Sequence, residues 1–123
     1  MIKIIIADDH EIIRTCFSTL FNSLPELTIV AEASNGREAI ELARKHKPDV
    51  ILMDNKMPEI TGVEATHIIK KDLPEIKIIG LSMYSEDSNI QEFLDAGADT
   101  YLLKDCGIEE IQQAIHKVLE KPT

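Results

Sequence analysis

Short apolar segments alternate along the chain with longer segments in which apolar residues recur every three or four positions. The short segments are rich in β-branched residues and have the length of strands. They cover residues 2–7, 28–33, 49–53, 77–81 and 100–103. Several of them are apolar at successive positions, so we expect both faces of those strands to be buried. This pattern is typical of a parallel sheet that lies between two layers of helices.

The intervening segments have the periodicity of amphipathic helices, and we expect their apolar faces to cover the sheet. The first face consists of Ile13, Cys16, Phe17, Leu20 and Leu24, and the last consists of Ile108, Ile111, Ile115 and Val118. Five strands and five helices are therefore predicted.

Residues with capping chemistry stand at the predicted helix ends. The segment from Thr61 to Glu64 has the spacing of a capping box, and Ser34 or Asn35 can cap the second helix. Gly97 can close the fourth helix in a left-handed conformation. These signals support the predicted helix boundaries.

Regular alternation with right-handed crossover connections predicts a doubly wound α/β domain. With five strands, we expect a flavodoxin-like (βα)5 parallel sheet in the order 2-1-3-4-5. The connections from strand 1 then run in opposite directions, and ligands bind in the crevice outside the carboxyl ends of strands 1 and 3. A chain of 123 residues has the size of one domain, so we expect residues 1–123 to form a single domain without a second one.

Composition narrows the classes of function. Thirteen Lys and Arg against 22 Asp and Glu give a net charge of −9, which argues against direct binding of nucleic acid. No uncharged segment approaches the ~20 residues of a membrane span, and the first residues lack the layout of a signal peptide, so we expect a cytoplasmic protein. Cys16 and Cys106 form no metal or disulfide motif and are expected to be free thiols.

Charged and polar residues stand where four of the predicted strands end. Strand 1 leads into Asp8 and Asp9, strand 3 into Asp54, strand 4 into Ser82 and strand 5 into Lys104. Each residue alone is explained as a helix cap, a turn residue or a solvated strand end. Such roles give no reason for three carboxylates, a hydroxyl and an ammonium group to occur together at one edge. We therefore expect a joint site.

Three carboxylates in a partly buried crevice repel one another unless a cation neutralises them. Oxygen ligands with room for water and a phosphate group favour Mg²⁺ over a closed Ca²⁺ cage. A metal beside one carboxylate would neutralise phosphoryl oxygens while that carboxylate, as nucleophile, forms an acyl phosphate. The expected chemistry is phosphoryl transfer to an aspartate.

The residues of this edge resemble the receiver domain of two-component response regulators, and the resemblance covers essentially all 123 residues. Its motifs are Ile6-Ala7-Asp8-Asp9-His10, Met53-Asp54-Asn55-Lys56-Met57-Pro58 followed by Gly62, Leu81-Ser82, and Leu103-Lys104. Residues 81–84 and 97–105 are most similar to the LuxR-type regulators, also called the NarL/FixJ group.

The resemblance implies a role for each site residue. Asp54 is the phosphoacceptor, Ser82 is the switch hydroxyl, Lys104 pairs with the phosphoryl group, and Tyr101 is the rotating aromatic residue of the switch. The expected Mg²⁺ ligands are Asp8, Asp9, Asp54 and the backbone carbonyl of Lys56. Lys56, Met83 and Tyr84 also occupy positions that tune the access of water to the phosphate.

The resemblance further implies partners. We expect a sensor histidine kinase as the phosphoryl donor, and homodimerisation or an attached domain as the output. In a LuxR-type regulator the output is a C-terminal helix-turn-helix domain that binds DNA and regulates transcription. The sequence ends at Lys121-Pro122-Thr123, so such a domain would lie outside it.

Other functions are weighed against this one. A metal-dependent aspartyl phosphatase uses similar groups, but the haloacid dehalogenase type places a second Asp two residues after the nucleophile, where this chain has Lys56. A receiver-like interaction domain without phosphorylation is another alternative, and neither GxxxxGK[ST] nor GxGxxG supports nucleotide binding.

Three of the four histidines are expected to take no part in the site, and the role of the fourth is left open. His46, His67 and His116 fall on predicted helices and are expected to be surface residues. His10 is expected to begin the first helix beside the site, where a role as a metal ligand stays open.

Overall fold

The computed structural model describes residues 1–82, 88–105 and 107–120, without the side chains of residues 88 and 89. The predictions for Met83, Tyr84 and Cys106 lie outside this range. Strands and helices alternate in the order β1 (Ile2–Ala7), α1 (Glu11–Phe21), β2 (Leu27–Ala33), α2 (Gly36–His46), β3 (Val50–Asp54), α3 (Gly62–Asp72), β4 (Lys77–Ser82), α4 (Ser88–Ala96), β5 (Thr100–Leu103) and α5 (Ile108–Leu119).

The five strands form one parallel sheet in the order β2-β1-β3-β4-β5, which confirms the predicted flavodoxin-like topology. The predicted limits of β3 and β4 were wrong by one residue at their carboxyl ends. Asp54 pairs with Leu81 and Ser82 pairs with Leu103, so both polar residues belong to the sheet rather than to the following loops. Their backbones are therefore held by strand hydrogen bonds. The strand β2 begins at Leu27, one residue earlier than predicted.

Successive residues of the central strands belong to different cores. Ile5, Ile51 and Met53 pack with residues of α2, α3 and α4 on one face of the sheet. Ile4, Ile6 and Leu52 pack with α1 and α5 on the other face. This two-sided burial explains the nearly continuous apolar runs in the sequence.

The predicted face of α5 is confirmed, since Ile111, Ile115 and Val118 are buried. The prediction of the buried face of α1 was partly wrong, because Cys16 is exposed. Helix α1 is rotated so that Phe17 and Phe21 are the buried residues. Cys16 precedes Phe17 by one position, about 100° around the helix, and so lies at the solvent edge of the apolar face.

The helix ends follow the predicted capping chemistry. Between the two candidates for α2, Asn35 is the cap, and its Oδ1 accepts a hydrogen bond from the amide of Glu38 at 2.8 Å. Thr61 Oγ1 accepts from the amide of Glu64 at 3.2 Å. Gly97 has a φ of +113°, which confirms the left-handed close of α4.

The described residues include no helix long and apolar enough to cross a bilayer. The longest, α5, has 12 residues.

The Glu38 carboxylate ties the β2–α2 connection to the first turn of α2. It accepts hydrogen bonds from the hydroxyl of Ser34 at 2.7 Å and from the amide of Ser34 at 2.8 Å. These hydrogen bonds, the one from the backbone amide foremost, lower the pKa of Glu38. Because the folded pKa is lowered, the stabilisation is complete above the unfolded value of 4.5 and is lost as the pH falls through the folded value.

We therefore expect Glu38→Gln to lower the free energy of unfolding by about 1 kcal/mol at neutral pH. The difference from wild type should shrink as the pH is lowered from neutral through the lowered pKa of Glu38, because the wild-type side chain then becomes neutral as well. Urea unfolding across this pH range measures it. Glu41→Gln, on the exposed side of the same helix, is the matched control and should change stability by less than about 0.5 kcal/mol. A deficit of Glu38→Gln that persists unchanged in acid would contradict the assignment.

Candidate functional site

The first acidic residue of the site is fixed by β1 and by the first turn of α1. Asp8 follows directly after β1 and is fully buried, and its amide donates to the carbonyl of Ala33 at 3.0 Å. Arg14 Nη1 donates to the carbonyl of Asp8 at 2.6 Å, and the amide of His10 donates to Asp8 Oδ1 at 2.9 Å. The backbone and the carboxylate of Asp8 are thus both held.

Asp54 ends the central strand β3 and is 5% exposed. The loop after it folds back tightly, since the carbonyl of Asn55 accepts from the amide of Gly62 at 2.9 Å and Asn55 Oδ1 accepts from the amide of Val63 at 3.0 Å. A Cβ atom at Gly62 would overlap the carbonyl oxygen of Asp54. Only glycine allows the first turn of α3 to approach β3 this closely.

Lys104 connects the two buried carboxylates. Its Nζ lies 3.0 Å from Asp8 Oδ2 and 2.9 Å from Asp54 Oδ1, and its side chain is 8% exposed. The Lys104 amide donates to the carbonyl of Ser82 at 2.8 Å, which fixes the start of this side chain against the end of β4. Ser82 itself is buried at that strand end. The four side chains therefore come from the ends of four adjacent strands.

Asp9 completes the acidic cluster from the loop after β1. Its side chain is one third exposed. Asp8, Asp9, His10 and Asp54 each offer one ligand atom, and these atoms lie within 4.8 Å of one another. Three carboxylates thus face one ammonium group, which leaves a surplus of two negative charges if all are ionised.

The electrostatics of the pair Asp54 and Lys104 reflect this crowding. Burial, with a contribution from the charge of Asp8, raises the pKa of Asp54 against the opposing effect of Lys104. Burial also disfavours the ammonium form of Lys104, but its close contacts with the carboxylates of Asp54 and Asp8 outweigh this effect and raise the pKa of Lys104. Lys104 therefore remains charged, but its single positive charge does not neutralise all the carboxylates around it.

The donor set fits a divalent cation. Asp54 Oδ2 is buried and has no hydrogen-bond partner within the described part of the chain. Asp8 Oδ2 is near Lys104 Nζ but without the angles of a hydrogen bond. Unpaired buried carboxylate oxygens are costly, and a hard cation such as Mg²⁺ would satisfy them. Lys56 lies in the loop two residues after Asp54, with its side chain exposed.

Sequence reasoning did not predict the contacts of His10 and Arg14 with Asp8. It did predict a role for Tyr101, which is not among the residues in contact with Asp8 or Asp54 described above. The sequence left the role of His10 open and gave none to Arg14, which also pairs with Glu32 of β2 at 3.1 Å. A basic residue one helical turn after His10, facing an acidic residue of β2, was the available signal. Tyr101 lies on β5 and is 38% exposed, so its role as a switch residue stays a prediction.

The sequence and the fold were compared with known proteins. Residues 4–116 match the family model described as the response regulator receiver domain. The chain is 43% identical over 116 residues to the response regulator protein VraR of Staphylococcus saprophyticus. That alignment covers 94% of this chain and 56% of VraR, so the chain spans about half the length of these curated relatives.

Solved structures agree with this assignment. The receiver domain of the response regulator NarL from Mycobacterium tuberculosis superposes with a TM-score of 0.91 at 26% identity, covering 98% of each chain. A LuxR-family DNA-binding response regulator from Staphylococcus aureus gives a TM-score of 0.89 at 29% identity and covers 98% of this chain and 100% of that one. These matches do not favour the phosphatase alternative. The chain belongs to the receiver domains of two-component response regulators, with VraR and LuxR-family regulators among its homologues.

Proposed function

We propose that Asp54 accepts a phosphoryl group from a sensor histidine kinase in a reaction that depends on Mg²⁺. The observation that carries this proposal is the state of the Asp54 carboxylate. One of its oxygens is bound by Lys104, and the other is buried without a hydrogen-bond partner among the described residues. Lys104 thus orients the carboxylate and leaves Oδ2 as the oxygen available for attack.

The transfer forms one bond and breaks one bond. Asp54 Oδ2 attacks the phosphorus of a phosphohistidine, a P–O bond forms, and the P–N bond breaks with its electron pair left on the histidine nitrogen. Lys104 Nζ and the Ser82 hydroxyl then contact the phosphoryl oxygens. Mg²⁺, held by Asp8, Asp9, Asp54 and the backbone carbonyl of Lys56, would neutralise the negative charge that gathers on these oxygens. A CheY in complex with CheX from Borrelia burgdorferi, similar to this chain in fold, is described with BeF₃ and Mg²⁺.

The domain catalyses only its own phosphorylation and dephosphorylation and turns over no external substrate. Lys56 occupies the position at which an aspartyl phosphatase of the haloacid dehalogenase type has its acid. Asp8, Asp9, Asp54, Ser82 and Lys104 are all present, which argues against an interaction domain that has lost phosphorylation. Residues 1–123 act as one receiver domain.

The signal passes through a change in the surface formed by α4, β5 and α5. The phosphoryl group adds charge and strong acceptor oxygens beside Ser82, and Ser82 moves toward them. Tyr101 turns into the vacated space, which alters this surface. The outputs are homodimerisation and control of a C-terminal helix-turn-helix domain that regulates transcription in the cytoplasm. The greater length of the VraR relatives leaves room for such a domain.

Phosphorylation of Asp54 is tested with a small phosphodonor. Incubation with Mg²⁺ and acetyl phosphate should add one phosphoryl group, detected by intact mass and removed by hydroxylamine, because an acyl phosphate is labile to this nucleophile. Asp54→Asn should abolish the addition, and chelation of the metal should suppress it.

Asp105→Asn is the matched control, because Asp105 is an exposed carboxylate directly after Lys104 and is not assigned to the site. This variant should be phosphorylated like the wild type. A hydroxylamine-labile phosphoryl group on Asp54→Asn would exclude Asp54 as the acceptor.

The switch is tested by the orientation of Tyr101. Beryllofluoride with Mg²⁺ mimics the phosphoryl group, so it should turn the Tyr101 ring inward and lower its exposure from the present 38%. Crystal structures with and without the mimic measure the rotamer. Ser82→Ala should still bind the mimic through Lys104 but should uncouple the rotation of Tyr101. The same Tyr101 rotamer in both wild-type structures would contradict the proposed switch.

A further inference from the structure

His10 brings a nitrogen atom to the acidic cluster. It is the N-cap of α1 with no side-chain capping bond, so its ring is not used to hold the helix end. Its Nδ1 lies 2.9 Å from Asp8 Oδ1 and 3.0 Å from Asp9 Oδ1. The ring is 60% exposed and is therefore accessible from solvent.

The cluster has a feature that ordinary groups of surface carboxylates lack. Asp54 is 5% exposed, and its Oδ2 has no hydrogen-bond partner within the described range. A ligand atom of Asp54 lies within 4.8 Å of those of Asp8, Asp9 and His10. A buried, unpartnered oxygen beside three further ligands indicates a place for a cation.

Two separations within this cluster equal the distance between adjacent ligands of a metal ion, which is also the distance of a hydrogen bond. Two adjacent ligands of an octahedral ion with bonds of about 2.1 Å are separated by about 3.0 Å. The two distances from Nδ1 to the carboxylate oxygens, 2.9 and 3.0 Å, agree with this value. These two separations allow one cation to contact the imidazole and the carboxylates of Asp8 and Asp9.

We propose that His10 Nδ1 is a metal ligand and that, with carboxylate oxygens of Asp8, Asp9 and Asp54, it lets this pocket bind a divalent transition-metal ion such as Co²⁺ or Zn²⁺. Mg²⁺ prefers oxygen ligands and gains little from the ring, whereas imidazole favours transition metals. The inference deepens the proposed function, because it assigns a further ligand and a further class of metal to the proposed Mg²⁺ site.

The competing interpretation is that His10 only pairs with Asp8 and Asp9. In that case the ring would shape the carboxylates, and its removal would change the affinity for all divalent cations to a similar extent. A ligand role instead requires an effect that depends on the metal. The ratio of the affinities for Co²⁺ and Mg²⁺ distinguishes the two interpretations.

The test uses the metal-free chain at about pH 8, above the ordinary pKa of an imidazole, to limit the competition of protons with the metal. Co²⁺ and Mg²⁺ are titrated separately by calorimetry into the wild type and into His10→Ala, and the visible absorption of Co²⁺ reports its ligands. We expect His10→Ala to lower the affinity for Co²⁺ about tenfold or more and that for Mg²⁺ less than about threefold, so the preference for Co²⁺ falls. Thermal unfolding of both variants checks that His10→Ala is folded.

His67→Ala is the matched control, because His67 is an exposed residue of α3 and is not part of the cluster. This variant should keep the preference for Co²⁺. A direct readout is the ¹⁵N NMR signal of His10 Nδ1, which should shift on addition of Zn²⁺, while the signal of His67 should not.

An equal loss of affinity for Co²⁺ and Mg²⁺, an unchanged affinity for Co²⁺, or an unshifted Nδ1 signal at saturating Zn²⁺ overturns the inference. Failure of the proposed function is recognised separately, as the absence of Mg²⁺-dependent phosphorylation of the wild type. Lack of any cation binding overturns both.

Discussion

The site depends on the contact of one ammonium group with two buried carboxylates. Lys104 Nζ lies 3.0 Å from Asp8 Oδ2 and 2.9 Å from Asp54 Oδ1. Lys104 follows β5, Asp8 follows β1, and Asp54 is the last residue of β3. Without this cation, two carboxylates would face each other in a region that solvent barely reaches, at a cost of several kcal/mol. Lys104 offsets part of this repulsion but leaves Asp54 Oδ2 unpaired. The same contact therefore stabilises the pocket and leaves one buried carboxylate oxygen that a further cation could contact.

The strand order explains which side chain stands at each position. Neighbouring strands are about 4.8 Å apart, so β5, which lies two strands from β3, is about 10 Å away from it. The extended side chain of Lys104, the side chain of Asp54 and the 2.9 Å contact between them together cover this distance. Ser82 ends β4, the strand between them, and its side chain is short. The long side chain thus comes from the strand that lies farther from Asp54, and the short one from the adjacent strand.

Much of this arrangement was predictable, because it depends on rules of topology and not on the positions of individual atoms. Alternating strands and helices fix the carboxyl edge, and Asp8, Asp54, Ser82 and Lys104 could be assigned to it from their place after apolar runs. The exposure of Cys16 and the choice of Asn35 over Ser34 as a cap were not predictable, since each depends on a rotation or shift of about one residue. The contacts of His10 and Arg14 with Asp8 depend on side-chain rotamers, which periodicity does not report.

The surplus of negative charge in the pocket would also couple the binding of a cation to folding. In the unfolded chain Asp8 and Asp54 are separated by 46 residues and form no common site. A cation that binds this pocket would therefore bind the folded state almost exclusively, and at a hundred times its dissociation constant it would add about 2.7 kcal/mol of stability. The oxygens that would attract this cation include Asp54 Oδ2, which is also the oxygen proposed to attack phosphorus. The unpaired negative charge at this oxygen therefore both destabilises the metal-free pocket and underlies its proposed reactivity. Replacement of Asp54 by a neutral residue of the same shape should relieve that repulsion, so the loss of phosphorylation would be accompanied by a gain in metal-free stability.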